Sequence, residues 1–124
     1  MAHTLEPARN KPLHDPQVAL QLLREEFAFV DADADEGQDR VGEILMHLIR
    51  LKAPQMIIDS VAAARETAIA VTVSDDANSD LYLTFLLRSD EGPFIGYSSH
   101  AEERALQPLV KRAAMALGYE AHIV

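Results

Sequence analysis

The chain has 124 residues, no cysteine, 11 basic and 20 acidic side chains, and a formal net charge of −9. One domain is expected at this length, and the lack of cysteine excludes disulfides, thiolate metal sites and cysteine nucleophiles. The negative charge argues against nucleic acids and anionic membrane surfaces as partners, because both are bound by cationic side chains.

The first 13 residues are polar and include Pro7 and Pro12. Residues 1–13 are therefore predicted to be a flexible segment that precedes a single domain over residues 14–124. This segment lacks the apolar core of a secretory signal, and no stretch of the chain approaches the roughly 20 apolar residues that cross a bilayer. We therefore expect a cytoplasmic protein.

Two amphipathic helices are predicted in the first half of the chain. Asp15 and Pro16 are typical of a helix start, and apolar residues at helical spacing continue to about Val30. A second helix is predicted over about residues 39–52. The acidic segment between these helices is therefore predicted to be a loop.

A third helix is predicted over about residues 54–65, where Pro54 can open a helix and three consecutive alanines favour one. A strand over residues 56–61 is the alternative, because short apolar runs fit both structures.

The spacing of apolar residues changes from helical to alternating near Thr67. Strands are predicted over residues 67–73, 81–88 and 94–98, a helix over 99–117 and a final strand over 119–124. Short turns between the first three strands indicate an antiparallel meander. The predicted fold is α+β, in the order α-α-(α)-β-β-β-α-β, with a three- to four-stranded antiparallel sheet and helices on one face.

The segment from Asp31 to Asp39 holds five carboxylates in nine residues. It resembles the calcium loop of EF-hand proteins, because Asp31, Asp33 and Asp35 have the spacing of the first three ligands. Asp39 and Glu43 are further candidate ligands.

The pattern departs from that family at two positions. Glu36 takes the position of the EF-hand glycine, and Gly42 takes that of the bidentate glutamate. Helix capping and solvation of a charged surface are therefore an alternative role for these acids.

Recognition of a basic partner protein is another interpretation of the same carboxylates. Residues 25–43 contain eight acids and one basic residue, Arg40, and such a surface steers cationic proteins towards it. The candidate partner-binding residues are Asp31, Asp33, Asp35, Glu36 and Asp39.

Two other groups of residues carry weaker signals. The histidines His3, His14, His47, His100 and His122 lack the spacing of a helical metal site. Ser98, Ser99 and His100 place hydroxyls beside an imidazole, without the glycines of a nucleophile turn. No catalytic residue or cofactor is predicted from them.

The sequence thus favours a non-catalytic protein-interaction or regulatory module. A calcium or small apolar-ligand binding protein and an enzyme of unrecognised type are the alternatives. Tyr82, Thr84 and Leu86 make the outward face of the central strand half apolar, which predicts a homodimer or a partner contact through the sheet.

Overall fold

A computed structural model describes residues 3–7, 12–75, 81–97 and 103–123. The helices are α1 Pro16–Glu26, α2 Ala34–Arg50, α3 Gln55–Arg65 and α4 Glu103–Leu117. The strands are β1 His3–Pro7, β2 Phe29–Asp33, β3 Ile69–Ser74, β4 Leu83–Leu87, β5 Phe94–Tyr97 and β6 Tyr119–Ile123. The α+β class is confirmed, and the predicted elements occur in the predicted order, with α3 as a helix.

The strands form one antiparallel sheet in the order β2-β3-β4-β5-β1-β6. Its centre is the predicted meander of β3, β4 and β5. The sheet has six strands rather than three or four, because β2 adds to β3 at one edge and β1 lies between β5 and β6.

The N-terminal part of the chain differs from the predicted flexible segment. Residues 3–7 form β1, which pairs along its whole length with β6, and the side chain of Leu5 is fully buried. A five-residue strand that buries one large apolar side chain has too little alternation for its sequence to reveal it.

The predicted acidic loop is also different, because it consists of a strand and the first turns of a helix. β2 pairs with β3 from Phe29 to Asp33, and α2 begins at Ala34. Val30 and Ala32 pack against the main core, so β2 does alternate. The helix predicted up to Val30 ends at Glu26, since Val30 fits the helical spacing of α1 as well as the alternation of β2.

The first face of the sheet packs against α1 and α4 and holds the main core. Strand residues that share this face are fully buried or nearly so, and they meet the apolar stripes of the two helices. The strand members are Leu5, Ile69, Val71, Val73, Leu83, Phe85, Leu87 and Tyr119, and the helix members include Leu20, Leu23, Leu106, Val110 and Leu117.

The second face carries α2 and α3, so helices cover both faces rather than the one face that was predicted. Leu86 points away from the main core and packs against a small cluster of Val41, Val61 and Ala68. A Cβ atom at Gly37 would lie 2.7 Å from backbone atoms of residues 68–70. This glycine therefore lets the backbone of α2 lie directly on the sheet. None of the helices in the described ranges is long and apolar enough to span a membrane.

Candidate functional site

A groove runs along the second face between α2 and the sheet, and we call it the α2 groove. Its wide part, about 460 Å³, lies where α2, α3 and the turn at residues 88–91 meet. A middle part of about 340 Å³ lies over β4, and a narrow part of about 70 Å³ reaches β2. Ile44 and Arg88 line the first two parts, and Arg40 and Thr84 line the last two, so the three parts adjoin one another along the second face.

The wide part has an apolar lining that comes from both helices. Ile44 and Leu48 are one turn apart on α2, and Ile57 and Val61 are one turn apart on α3. Side chains at this spacing lie on the same side of a helix, so the two pairs form opposing walls. The volume falls in the range of cavities that bind apolar groups.

An ion-paired turn closes one side of the wide part. The Arg88 guanidinium donates from Nε and Nη2 to the two carboxylate oxygens of Asp90 at 2.9 and 2.7 Å. Its Nη1 lies 3.1 Å from Glu91 Oε2. The Arg88 side chain is 10% exposed and that of Glu91 is 68% exposed. Two carboxylates against one guanidinium leave this side of the groove negative, with Glu91 towards solvent.

The narrow part is acidic as well. Asp31, Asp33 and Glu36 line it together with one basic residue, Arg40. Asp33 caps α2 by accepting the backbone N–H of Glu36 at 2.9 Å. The Glu36 carboxylate accepts from Arg40 Nη2 at 2.7 Å, and the Asp31 carboxylate makes no hydrogen bond or ion pair within the described part of the chain.

The structure divides the acids that the sequence grouped together. Asp31, Asp33 and Glu36 meet in the narrow part, where Asp31 and Asp33 also place charge on an edge strand and so oppose unwanted strand pairing. Asp35, Asp39 and Glu43 are exposed on α2 and line none of the three parts of the groove.

The EF-hand interpretation of these acids is not supported by their placement. No group of three or more His, Asp or Glu side chains among the described residues could hold a metal ion. An EF-hand wraps one loop around its calcium, whereas here the candidate ligands lie along a strand and a helix.

An exposed apolar surface lies at the end of the α2–α3 hairpin, next to the wide part of the groove. We call it the hairpin tip. It consists of Met46, Ile49, Leu51, Met56 and Ile57. Met56 and Ile57 also line the wide part, so the α3 residues of the tip border the groove. Met46 is two positions from Ile44 and lies on another side of α2.

The turn at the hairpin tip is well defined. Lys52 has a φ of 55°, and its N–H and that of Ala53 donate to the carbonyls of Ile49 and Leu48 at 3.1 and 3.0 Å. This is the hydrogen-bond pattern of a Schellman motif, with Lys52 in the position that glycine prefers. The apolar side chains at the tip are therefore exposed on an ordered turn.

The described histidines do not form a site. His47 is exposed on α2, whereas His14 stacks on Tyr119 with ring centroids 5.3 Å apart. The His14 backbone N–H donates to Tyr119 Oη at 2.7 Å, and burial raises the pKa of Tyr119. Ser98, Ser99 and His100, and the side chains of His3 and His122, lie outside the described residues.

Arg112 is the centre of a second charged cluster, which joins α4 to α1 and to the end of β3. It donates to Glu26 and to Asp75, and it lies 4.7 Å from the centre of the Phe27 ring. The hydrogen bonds to Asp75 and Glu26 raise the pKa of Arg112. These contacts hold elements of the first face together.

Comparison with known proteins adds no further information about the site. No family model, curated protein or solved structure matches the chain. The hairpin tip was missed at the sequence level because its residues continue the apolar spacing of the predicted helices. Residues 44–58 contain more apolar residues than one buried helical stripe needs. This excess was the feature of the sequence that indicated an exposed apolar surface.

Proposed function

We propose that this chain is a non-catalytic, cytoplasmic protein-interaction module that binds a segment of a basic partner protein. The binding surface is the hairpin tip together with the α2 groove. The observation that carries the proposal is the concentration of exposed apolar side chains at the tip. Five of the nine large apolar side chains that are exposed in the described residues lie between positions 46 and 57.

Such a concentration distinguishes the tip from the rest of the described surface. Single exposed apolar residues are ordinary in folded proteins, whereas several of them at one end of a helical hairpin favour an interaction surface there. The other four, which include Val18 and Met115, are spread over α1, α4, β2 and the residues before β4. Burying one large apolar side chain contributes about 1.5–3 kcal/mol, so a partner that covers the tip gains substantial affinity.

The charge of the surface supports a basic partner. The whole chain has a net charge of −9, and carboxylates outnumber guanidiniums at both ends of the groove. Complementary charge raises association rates and rejects partners of the wrong sign. A basic segment is therefore favoured over an acidic one.

The titratable groups support a non-catalytic role. Among the described residues, Arg112 and Tyr119 have displaced pKa values, and both belong to contacts on the first face. Displaced pKa values concentrate in catalytic sites, and here they coincide with structural contacts. A small apolar ligand is the second candidate, favoured by the volume of the wide part.

The test is selection of peptides from a random displayed library on the immobilised chain, followed by affinity measurements with matched variants. Met56→Ser removes an apolar side chain that is 83% exposed at the tip, and Met115→Ser removes one that is 81% exposed on α4. Neither substitution should shift the melting temperature appreciably, because both side chains are exposed.

We expect selected peptides to bind wild type and Met115→Ser equally and Met56→Ser about tenfold more weakly, as for a residue near an interface centre. Equal binding by all three proteins would contradict the proposal. So would sedimentation that shows a wild-type dimer dissociated by Met56→Ser, because the tip would then serve self-association. Failure to select any peptide would also overturn the proposal, because the tip and the groove would then bind no peptide segment.

A further inference from the structure

We infer that the α2 groove binds its partner segment in one orientation and that Arg40 limits the affinity. A large apolar side chain of the partner occupies the wide part, and a basic side chain reaches the narrow part. This inference rests on the proposed function. It adds the order of the apolar and basic residues in the partner segment, and it names Arg40 as the residue of this chain that limits the affinity.

The two ends of the groove differ in chemistry, which gives the bound segment a direction. The wide end is walled by Ile44, Leu48, Ile57 and Val61. The narrow end holds three carboxylates and one guanidinium. A segment that reverses its direction would place its large apolar side chain among the carboxylates of the narrow part, which is unfavourable.

The length of the groove sets the spacing of the partner's residues. Leu48 and Glu36 are twelve positions apart on α2, which corresponds to about 18 Å along a helix axis. An extended segment rises about 3.3 Å per residue, so its apolar and basic residues should lie about five positions apart. An α-helical segment would need about twelve positions for the same distance.

The narrow part accepts only the end of a side chain. Its volume of about 70 Å³ is much smaller than the 460 Å³ of the wide part. An ammonium or guanidinium group fits this space and the surrounding carboxylates. A carboxylate of the partner is excluded by charge.

Arg40 lies where the middle and narrow parts of the groove meet. It already holds the Glu36 carboxylate at 2.7 Å, and both side chains are 49% exposed. The partner's basic group must compete with Arg40 for Glu36 and must also approach a like charge. Replacing Arg40 by a neutral residue removes both obstacles and should strengthen binding.

The experiment measures dissociation constants of the selected peptides with Arg40→Gln and with Arg24→Gln. Arg24 is exposed on α1, so its substitution changes the net charge equally without touching the groove. We expect Arg40→Gln to bind about threefold to fivefold more tightly than wild type, the size of an exposed ion pair. Arg24→Gln should bind like wild type, and a peptide with its basic residue changed to Gln should lose the difference between the two proteins.

A gain of affinity in an Arg40→Gln protein that keeps the melting temperature of wild type would support the inference directly. Equal affinities of wild type and Arg40→Gln, or selected peptides without basic residues, would overturn it. In that case, weaker peptide binding by Met56→Ser than by Met115→Ser would still support the proposed function. If Met56→Ser and Met115→Ser also bound the peptides equally, the inference and the proposed function would both be overturned.

Discussion

The two faces of the sheet are built from the same strands and differ in what covers them. On the first face, α1 and α4 close over a core to which eighteen of the described residues contribute buried side chains. On the second face, the buried cluster under α2 and α3 consists of three residues within the described ranges, and the α2 groove occupies much of the remaining space. The first face thus holds most of the buried core, and the second is more open.

Two adjacent residues of β4 show this difference between the faces. Leu87 is 1% exposed on the first face, and its neighbour Leu86 is only half-buried on the second. Both are leucines in one strand, so backbone propensity is the same for both. Any difference between them reflects the packing of the two faces.

The largest expected effect comes from this pair. Leu87→Ala should lower the free energy of unfolding by about 2–5 kcal/mol, because it leaves a cavity in a closed core. Leu86→Ala should cost about 1 kcal/mol, since the groove already gives its side chain partial access to water. Urea titration of both variants measures the difference, and equal losses would show that the faces are equally packed.

Leu5 tests how far the first face extends towards the N-terminus. It is fully buried in β1, so Leu5→Ala should cost about 2–4 kcal/mol in the same titration. A flexible N-terminal segment, which the sequence predicts, would give no loss. A variant with the stability of wild type would therefore remove β1 from the sheet.

The glycines of α2 test how closely the helix approaches the second face. A Cβ atom at Gly37 would meet backbone at 2.7 Å, whereas one at Gly42 would meet the end of the Arg65 side chain at 2.9 Å. Gly37→Ala should cost about 1–3 kcal/mol, because the whole helix must move. Gly42→Ala should be close to neutral, since Arg65 can rotate away and alanine favours the helix.

Thermal unfolding of the two glycine variants measures this contrast. A stabilised Gly37→Ala protein would contradict direct contact between α2 and the backbone of residues 68–70.

The smallest effect concerns alkaline pH. Burial on the first face raises the pKa of Tyr119 above its usual value near 10. A raised pKa means that Tyr119 supports folding below about pH 10 and that this support is lost as pH rises through the folded-state pKa. Stability should therefore fall in this range, and it should fall less in Tyr119→Phe. Parallel pH profiles of the two proteins would contradict the burial of this hydroxyl.

Much of the fold could be predicted because its periodic elements are long. The helical spacing of residues 16–26 and 41–49 and the alternation in β3 and β4 are clear in the sequence. β1 and β2 were missed for different reasons. The sequence of β1 contains one large aliphatic residue, Leu5, so it shows no alternation. The carboxylates of β2 alternate with residues that otherwise continue the preceding helix.

The site was less predictable because it depends on tertiary placement. The sequence grouped five acids between Asp31 and Asp39, and the structure places three of them, Asp31, Asp33 and Glu36, in the narrow part of the groove. It could not separate them from Asp35 and Asp39, since that requires knowing where β2 ends and α2 begins. Nothing in the sequence around Gly37 indicates that α2 contacts the sheet at this residue.

The most direct test of the two-face account is a methyl NMR titration of the wild-type chain with a selected peptide. We predict chemical-shift changes at Ile44, Ile57 and Leu86, whereas Leu83 and Leu87 should keep their positions. Changes at Leu83 and Leu87, without changes along the groove, would contradict the assignment of binding to the second face.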